Sequence, residues 1–181
     1  MIKQFCFAGK HYLLALPLLW ALAFQAGCSR DGTGRYHSRE HGFSIAVPEK
    51  WETRENHMGT AVILLSPRED QNDLFLENLN IVVEELPAGT ELSAYLNESV
   101  KNMARMLEGF KSGKAELYRL YRYDAGRAGY SYTLGTLRLE STVTMVARGG
   151  KAYVITCTST KEDFPRYREI FEKTTGSFRA R

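Results

Sequence analysis

Apolar positions along the chain follow a period of two, then a helical period, then two again. Phe43-Ser44-Ile45-Ala46-Val47 alternates large with small side chains and stops at Pro48, the pattern of a half-buried strand. Trp51 follows the turn. Ala61–Leu65 is a second strand, rich in branched residues and halted by Ser66-Pro67, and residues 68–73 form a charged loop. Asn80–Leu86 is a third strand, closed by Pro87 and Gly89. Leu92, Tyr95, Leu96, Val100, Met103 and Leu107 then recur at helical spacing and predict a helix over 91–108. Thr90 is placed to cap it and Gly109 to end it. Four strands follow, over 115–123, 128–135, 137–148 and 152–158. Asp124-Ala125-Gly126-Arg127 is read as one turn and Gly149-Gly150 as a two-residue hairpin loop. A closing helix over 164–175 has Pro165 near its start, Gly176 past its end, and an inward stripe of Phe164, Tyr167, Ile170 and Phe171. Short links between the later strands demand antiparallel pairing. The expectation is an α+β domain with an antiparallel sheet and helices packed on it.

Ahead of this domain, residues 13–24 form an apolar run after Lys3 and Lys10. It is too short to span a bilayer and suits the hydrophobic part of a secretory signal. Ala26-Gly27-Cys28 resembles the lipobox of bacterial lipoproteins, with Gln25 where leucine is usual. That resemblance implies cleavage before Cys28 and acylation of its thiol. It divides the chain into a signal (1–27), a lipidated, polar, glycine-bearing tether (28–35) and a domain (36–181). Two acyl chains on one cysteine bury enough methylene groups for stable anchoring. Ser29 after the cysteine implies the outer membrane, facing the periplasm, in a cell with two membranes.

Charge changes the picture little. The chain has 24 basic and 21 acidic side chains, and Lys3 and Lys10 leave with the signal. The near-neutral remainder gives no reason to expect nucleic acid, which is bound mainly through phosphate neutralisation. Of three cysteines, Cys6 leaves with the signal and Cys28 carries lipid. Cys157 alone cannot form an internal disulfide, so stability rests on packing.

Gly42-Phe43-Ser44-Ile45-Ala46-Val47-Pro48-Glu49-Lys50-Trp51 resembles the opening of the PsbP-like family, which includes the photosystem subunit PsbP and the lipoprotein DcrB. The likeness continues through Gly126–Tyr132 and Ala152–Thr158 to the terminal Phe164…Phe171…Ser177-Phe178. It implies an α/β/α sandwich around a central antiparallel sheet of about six or seven strands. It also implies a role in binding partners, although a shared fold does not transfer an activity.

The residues offer little chemistry of their own. His37 and His41 stand four apart, about 13 Å in an extended chain and too far for one ion. A metal site joining them to His57 is a minor alternative. Glu69, Asp70, Asp73 and Glu77 lack the spacing of a calcium loop and read as a charged loop. Glu84 and Glu85 point to opposite faces of a strand and cannot act as an acid/base pair. Cys157 alternates with Val154 and Thr156 in a strand, which reads as a packing thiol. No catalytic constellation and no cofactor are expected. Alternation along Tyr118–Tyr123 places Arg119, Tyr121 and Tyr123 on one face, a candidate partner-binding patch, since tyrosine and arginine are enriched at binding hot spots. Alternatively, these rings pack beneath the helix over 91–108. The leading expectation is a non-catalytic, membrane-anchored binding or accessory domain of the cell envelope. The alternatives are a carrier or sensor of a metal ion or small ligand, and an envelope hydrolase using Cys157 or a histidine.

Overall fold

A computed structural model of the chain describes residues 34–181. The signal, Cys28 and most of the tether lie outside them. In chain order the elements are β1 (Arg35–Ser38), β2 (Phe43–Ala46), β3 (Glu52–Glu55), β4 (Val62–Leu65) and β5 (Asn78–Glu85), followed by α1 (Leu92–Met106). After α1 come β6 (Glu108–Ser112), β7 (Glu116–Leu120), β8 (Tyr123–Leu134), β9 (Leu137–Arg148) and β10 (Lys151–Thr160), then α2 (Phe164–Gly176) and β11 (Arg179–Ala180). Among the described residues no helix is long and apolar enough to cross a membrane.

Eight strands build one antiparallel sheet in the order β3-β4-β5-β10-β9-β8-β6, with β7 also paired to β8. The twelve residues of β8 outrun each neighbour on its outer side, so β7 takes its first half and β6 its second. Tight loops join the long strands. Gly149 and Gly150 both have positive φ, +60° and +72°, as a two-residue hairpin turn of the expected kind requires. A second sheet exists that the sequence pattern does not indicate. β2 does not enter the large sheet but pairs with β1 and the C-terminal β11 in a second, three-stranded sheet.

Strand alternation divides the core between the two faces of the large sheet. On one face Leu79, Ile81, Tyr153, Ile155, Val146 and Tyr123 meet Phe164, Tyr167 and Phe171 of α2 and Phe43, Ile45 and Phe178 of the small sheet. Aromatic edges lock this layer. Trp51 lies 6.2 Å from the rings of both Tyr167 and Phe171, and Phe178 lies 5.2 Å from Tyr153. On the other face Leu96 of α1 is buried against Ala128, Tyr130, Val143 and Met145. The result is the expected α/β/α sandwich, and its large antiparallel sheet counts eight strands.

Four local expectations are corrected. Glu91, not Thr90, occupies the N-cap of α1, and its side chain makes no cap hydrogen bond. Gly109 does not end α1, which stops at Met106 with extended Leu107 as its C-cap; with φ +62° Gly109 lies within β6. Residues 124–127 form no turn. They continue β8, and the turn falls at Tyr121-Arg122, with Tyr121 at φ +57°. Gly126 is small for another reason: a Cβ there would stand 2.8 Å from Leu96 Cδ2, so its hydrogen lets α1 sit down on the sheet. Ile170, expected in the buried stripe of α2, is 37% exposed.

Candidate functional site

A cleft of about 510 Å³ opens between α2 and the half of the sheet formed by β7 to β9. It exists because the strands carry short side chains there. Gly129 has none, while Thr142 and Thr144 fill little space opposite the aromatic stripe of the helix. Tyr118 and Leu120 form one wall, and Phe164 and Phe171 the other. Its volume lies within the range of small-molecule sites.

The rim is charged. Arg127 pairs with Glu116 across the β7–β8 ladder, and its guanidinium lies 5.1 Å from the centre of the Tyr118 ring. Burial pushes the pKa of the Tyr118 phenol upward, opposed by the neighbouring Thr144 hydroxyl and by Arg127. Lys114 on the sheet side and Arg168 on the helix side line the same cleft. Neither has a carboxylate at ion-pair distance among the described residues.

Cys157 lies on the cleft floor, 3.5 Å from the Thr175 hydroxyl. Burial pushes its thiol up to about 12, so it stays protonated at neutral pH and makes a poor nucleophile. The histidines lie elsewhere. His37 and His41 line a separate cavity beside the β1–β2 hairpin, with His41 3.8 Å from Glu40, and His57 is not among its lining residues. Among the described residues no group of three His, Cys, Asp or Glu side chains converges as a metal site.

The patch of Arg119, Tyr121 and Tyr123 is divided by the turn that breaks its strand. Tyr121, on the turn, is 61% exposed, and Arg179 lies over its ring at 4.1 Å. Arg119 is exposed and bound to Asp124 at 2.6 Å. Tyr123 begins the next strand, is 4% exposed and packs on Phe178, so it is not on that surface. Nor do the neighbouring tyrosines share one helix. Tyr130 and Tyr132 pack on the α1 face, whereas Tyr118 faces the cleft below α2.

One buried group within the acidic segment was not legible in the sequence. Glu77 is only 3% exposed, and Ser66 and Ser159 donate to its carboxylate oxygens at 3.2 and 3.4 Å. Burial raises its pKa, opposed by its own backbone amide and by the hydroxyls of Ser66 and Tyr167. Nearby Glu69 accepts from Tyr167 at 3.1 Å and pairs with Arg166, tying the charged loop to α2.

The sequence matches the family model for DcrB over residues 43–176. No curated protein matches the chain significantly. The fold is shared with solved structures of low sequence identity. CyanoP, the cyanobacterial PsbP of Synechocystis sp. PCC 6803, aligns with TM-score 0.61 and 16% identity, over 84% of this chain and 98% of its own. LpqN of Mycobacterium tuberculosis, described as involved in cell envelope biogenesis, aligns with TM-score 0.63 and 14% identity, over 80% and 87%. The Ran-binding protein Mog1p of Saccharomyces cerevisiae aligns with TM-score 0.57 and 8% identity, over 81% and 94%.

Proposed function

The chain belongs to the DcrB family, and on that premise we propose that it is a non-catalytic accessory domain of the bacterial cell envelope. Acylated Cys28 holds it to a membrane, the outer one where a cell has two, and it acts by receiving a protein partner in the cleft beneath α2. The observation that carries this reading is the pair of cations, Lys114 and Arg168, on opposite sides of a cleft of mixed apolar and polar lining that Glu172 also borders; neither is within ion-pair distance of a carboxylate among the described residues. An anionic group of a partner can bind both while its apolar body meets Tyr118 and Phe171. Arg119 and Tyr121, close in sequence to Leu120 of the cleft, provide a second contact. The envelope role attributed to LpqN, which shares the fold, is in keeping with this placement. Anchoring raises the effective concentration of partners at the same surface.

The cleft volume favours a second reading, a carrier of a small anionic ligand. Cys157, held protonated by burial, weighs against a thiol hydrolase.

Photocrosslinking in cells tests these readings, with benzoylphenylalanine placed at position 168 and, as a control, at the exposed position 101 on α1. A protein adduct of defined mass at 168 and not at 101 supports the partner. A small-mass adduct at 168 supports the carrier. The same products from both positions, or turnover of an ester or peptide by the purified protein, would overturn the proposal.

A further inference from the structure

Beside the point where the tether enters the fold lies a second groove, of about 440 Å³. Val47, Pro48 and Trp51 line it from the segment after β2, and Ile170 and Lys173 line it from α2. The tether is fastened at its edge, for the Val47 amide donates to the Gly34 carbonyl at 2.8 Å. Arg35, the next residue, donates to the Ser177 carbonyl at 2.8 Å, and Ser177 also lines the groove.

Ile170 is the unexpected element. Its neighbours Tyr167 and Phe171 are buried, yet Ile170 stands 37% exposed at the mouth of a groove that Trp51 and Val47 make apolar. Lys173, one helical turn further along, and Lys50, in the turn before Trp51, are exposed cations beside it. Glu49 is the acidic residue in the lining. Apolar side chains bordered by lysines suit the headgroup–acyl boundary of a bilayer, where lysine stems lie along apolar surface and their ammonium groups reach the phosphates.

We propose that this groove is the face the domain lays on the membrane, with the lipid bilayer surface as its partner. The inference rests on acylation of Cys28, proposed above. Gly34 stands six positions after Cys28, with five residues between them, and a chain of that length spans at most about 20 Å. An anchored domain is therefore confined near the bilayer by its β1 corner, where the groove lies. In this orientation the cleft beneath α2 remains the partner site, and the groove sets how it is presented.

Trp51 supplies the probe. The chain has two tryptophans; Trp20 leaves with the signal, so Trp51 is the only one in the acylated protein, and a Trp20→Phe background keeps that true of any uncleaved chain. The full-length protein in that background is extracted from cell membranes and reconstituted into phosphatidylethanolamine–phosphatidylglycerol vesicles with acyl chains brominated near the glycerol. Intact mass and vesicle sedimentation are recorded alongside. The expected result is loss of roughly half of the Trp51 fluorescence relative to unbrominated vesicles, since the groove lies within the 5–10 Å boundary layer. Ile170→Asp with Lys173→Glu should abolish most of that quenching while sedimentation stays unchanged. Lys173→Glu alone, at an exposed site, should reduce it in part without disturbing the fold. Leu134→Asp, an exposed site away from the groove, should leave it intact. An acylated protein that sediments with vesicles but shows no quenching, or equal quenching in the groove variants, overturns this inference and leaves the anchor standing. A chain recovered without acyl groups overturns both.

Discussion

Tyr123 and Ala180 exchange two hydrogen bonds: the phenol donates to the Ala180 carbonyl at 2.8 Å and accepts the Ala180 amide at 3.1 Å. The first residue of β8 thus fixes the last strand of the fold, and the Tyr123 ring packs on Phe178 beside it. Replacing Tyr123 by Phe keeps the packing and strands two buried backbone groups. It should cost about 1–3 kcal/mol, read as a lower urea midpoint at an unchanged m-value. An unchanged midpoint would mean that β11 is held by other contacts.

Gly126→Val should test why β8 carries glycine where the sequence suggests a turn. With a Cβ there only 2.8 Å from Leu96 Cδ2, α1 must shift or Leu96 must leave its rotamer. The expected loss is about 1–3 kcal/mol from overpacking, and pairing the change with Leu96→Ala should recover part of it. Additive losses in the double variant would contradict direct contact.

The helices, the Gly149-Gly150 hairpin and the long β9 and β10 strands were legible because their signals are local. The turn at Tyr121-Arg122 was not, since a tyrosine at positive φ carries no turn signature. It is held instead by the stacking of Arg179 from the far end of the chain. Residues 124–127 misled because glycine serves close packing as well as turns. Phe43–Ala46 read correctly as a strand, but its sheet depends on pairing with Arg179–Ala180, which no local pattern reveals. The cleft was equally hidden. Gly129, Thr142 and Thr144 are unremarkable in sequence, and Lys114 and Arg168 come together only through the packing of α2. Cys157 was the exception, placed as a packing thiol by alternation alone.

Glu77 should make stability depend on pH. Burial raises its pKa from 4.5 in the folded protein, so the fold binds this proton more tightly than the unfolded chain does. Its stabilising effect is full below about 4.5 and is lost as pH rises through the folded-state value. Glu77→Gln removes the titration. Unfolding curves from pH 4 upward should therefore show the variant gaining stability relative to the parent as pH increases. A pH-independent difference would mean that Glu77 titrates normally.

Cys157 should resist modification in the folded protein. With its thiol pushed up to about 12, only about one part in ten thousand is thiolate at pH 8. Iodoacetamide should label the Cys157 peptide slowly in native buffer and rapidly in urea, as followed by mass spectrometry. Fast native labelling would show an accessible, activated thiol and reopen the hydrolase alternative.

The membrane anchor at position 28 underlies both the partner cleft's placement and the membrane-facing groove. Intact mass spectrometry of the protein purified from cell membranes tests this directly. The predicted result is a chain that begins at Cys28 and carries a diacylglyceryl group, with Cys28→Ala yielding no acylated form. A chain that begins elsewhere, or an unmodified Cys28 thiol, would contradict it.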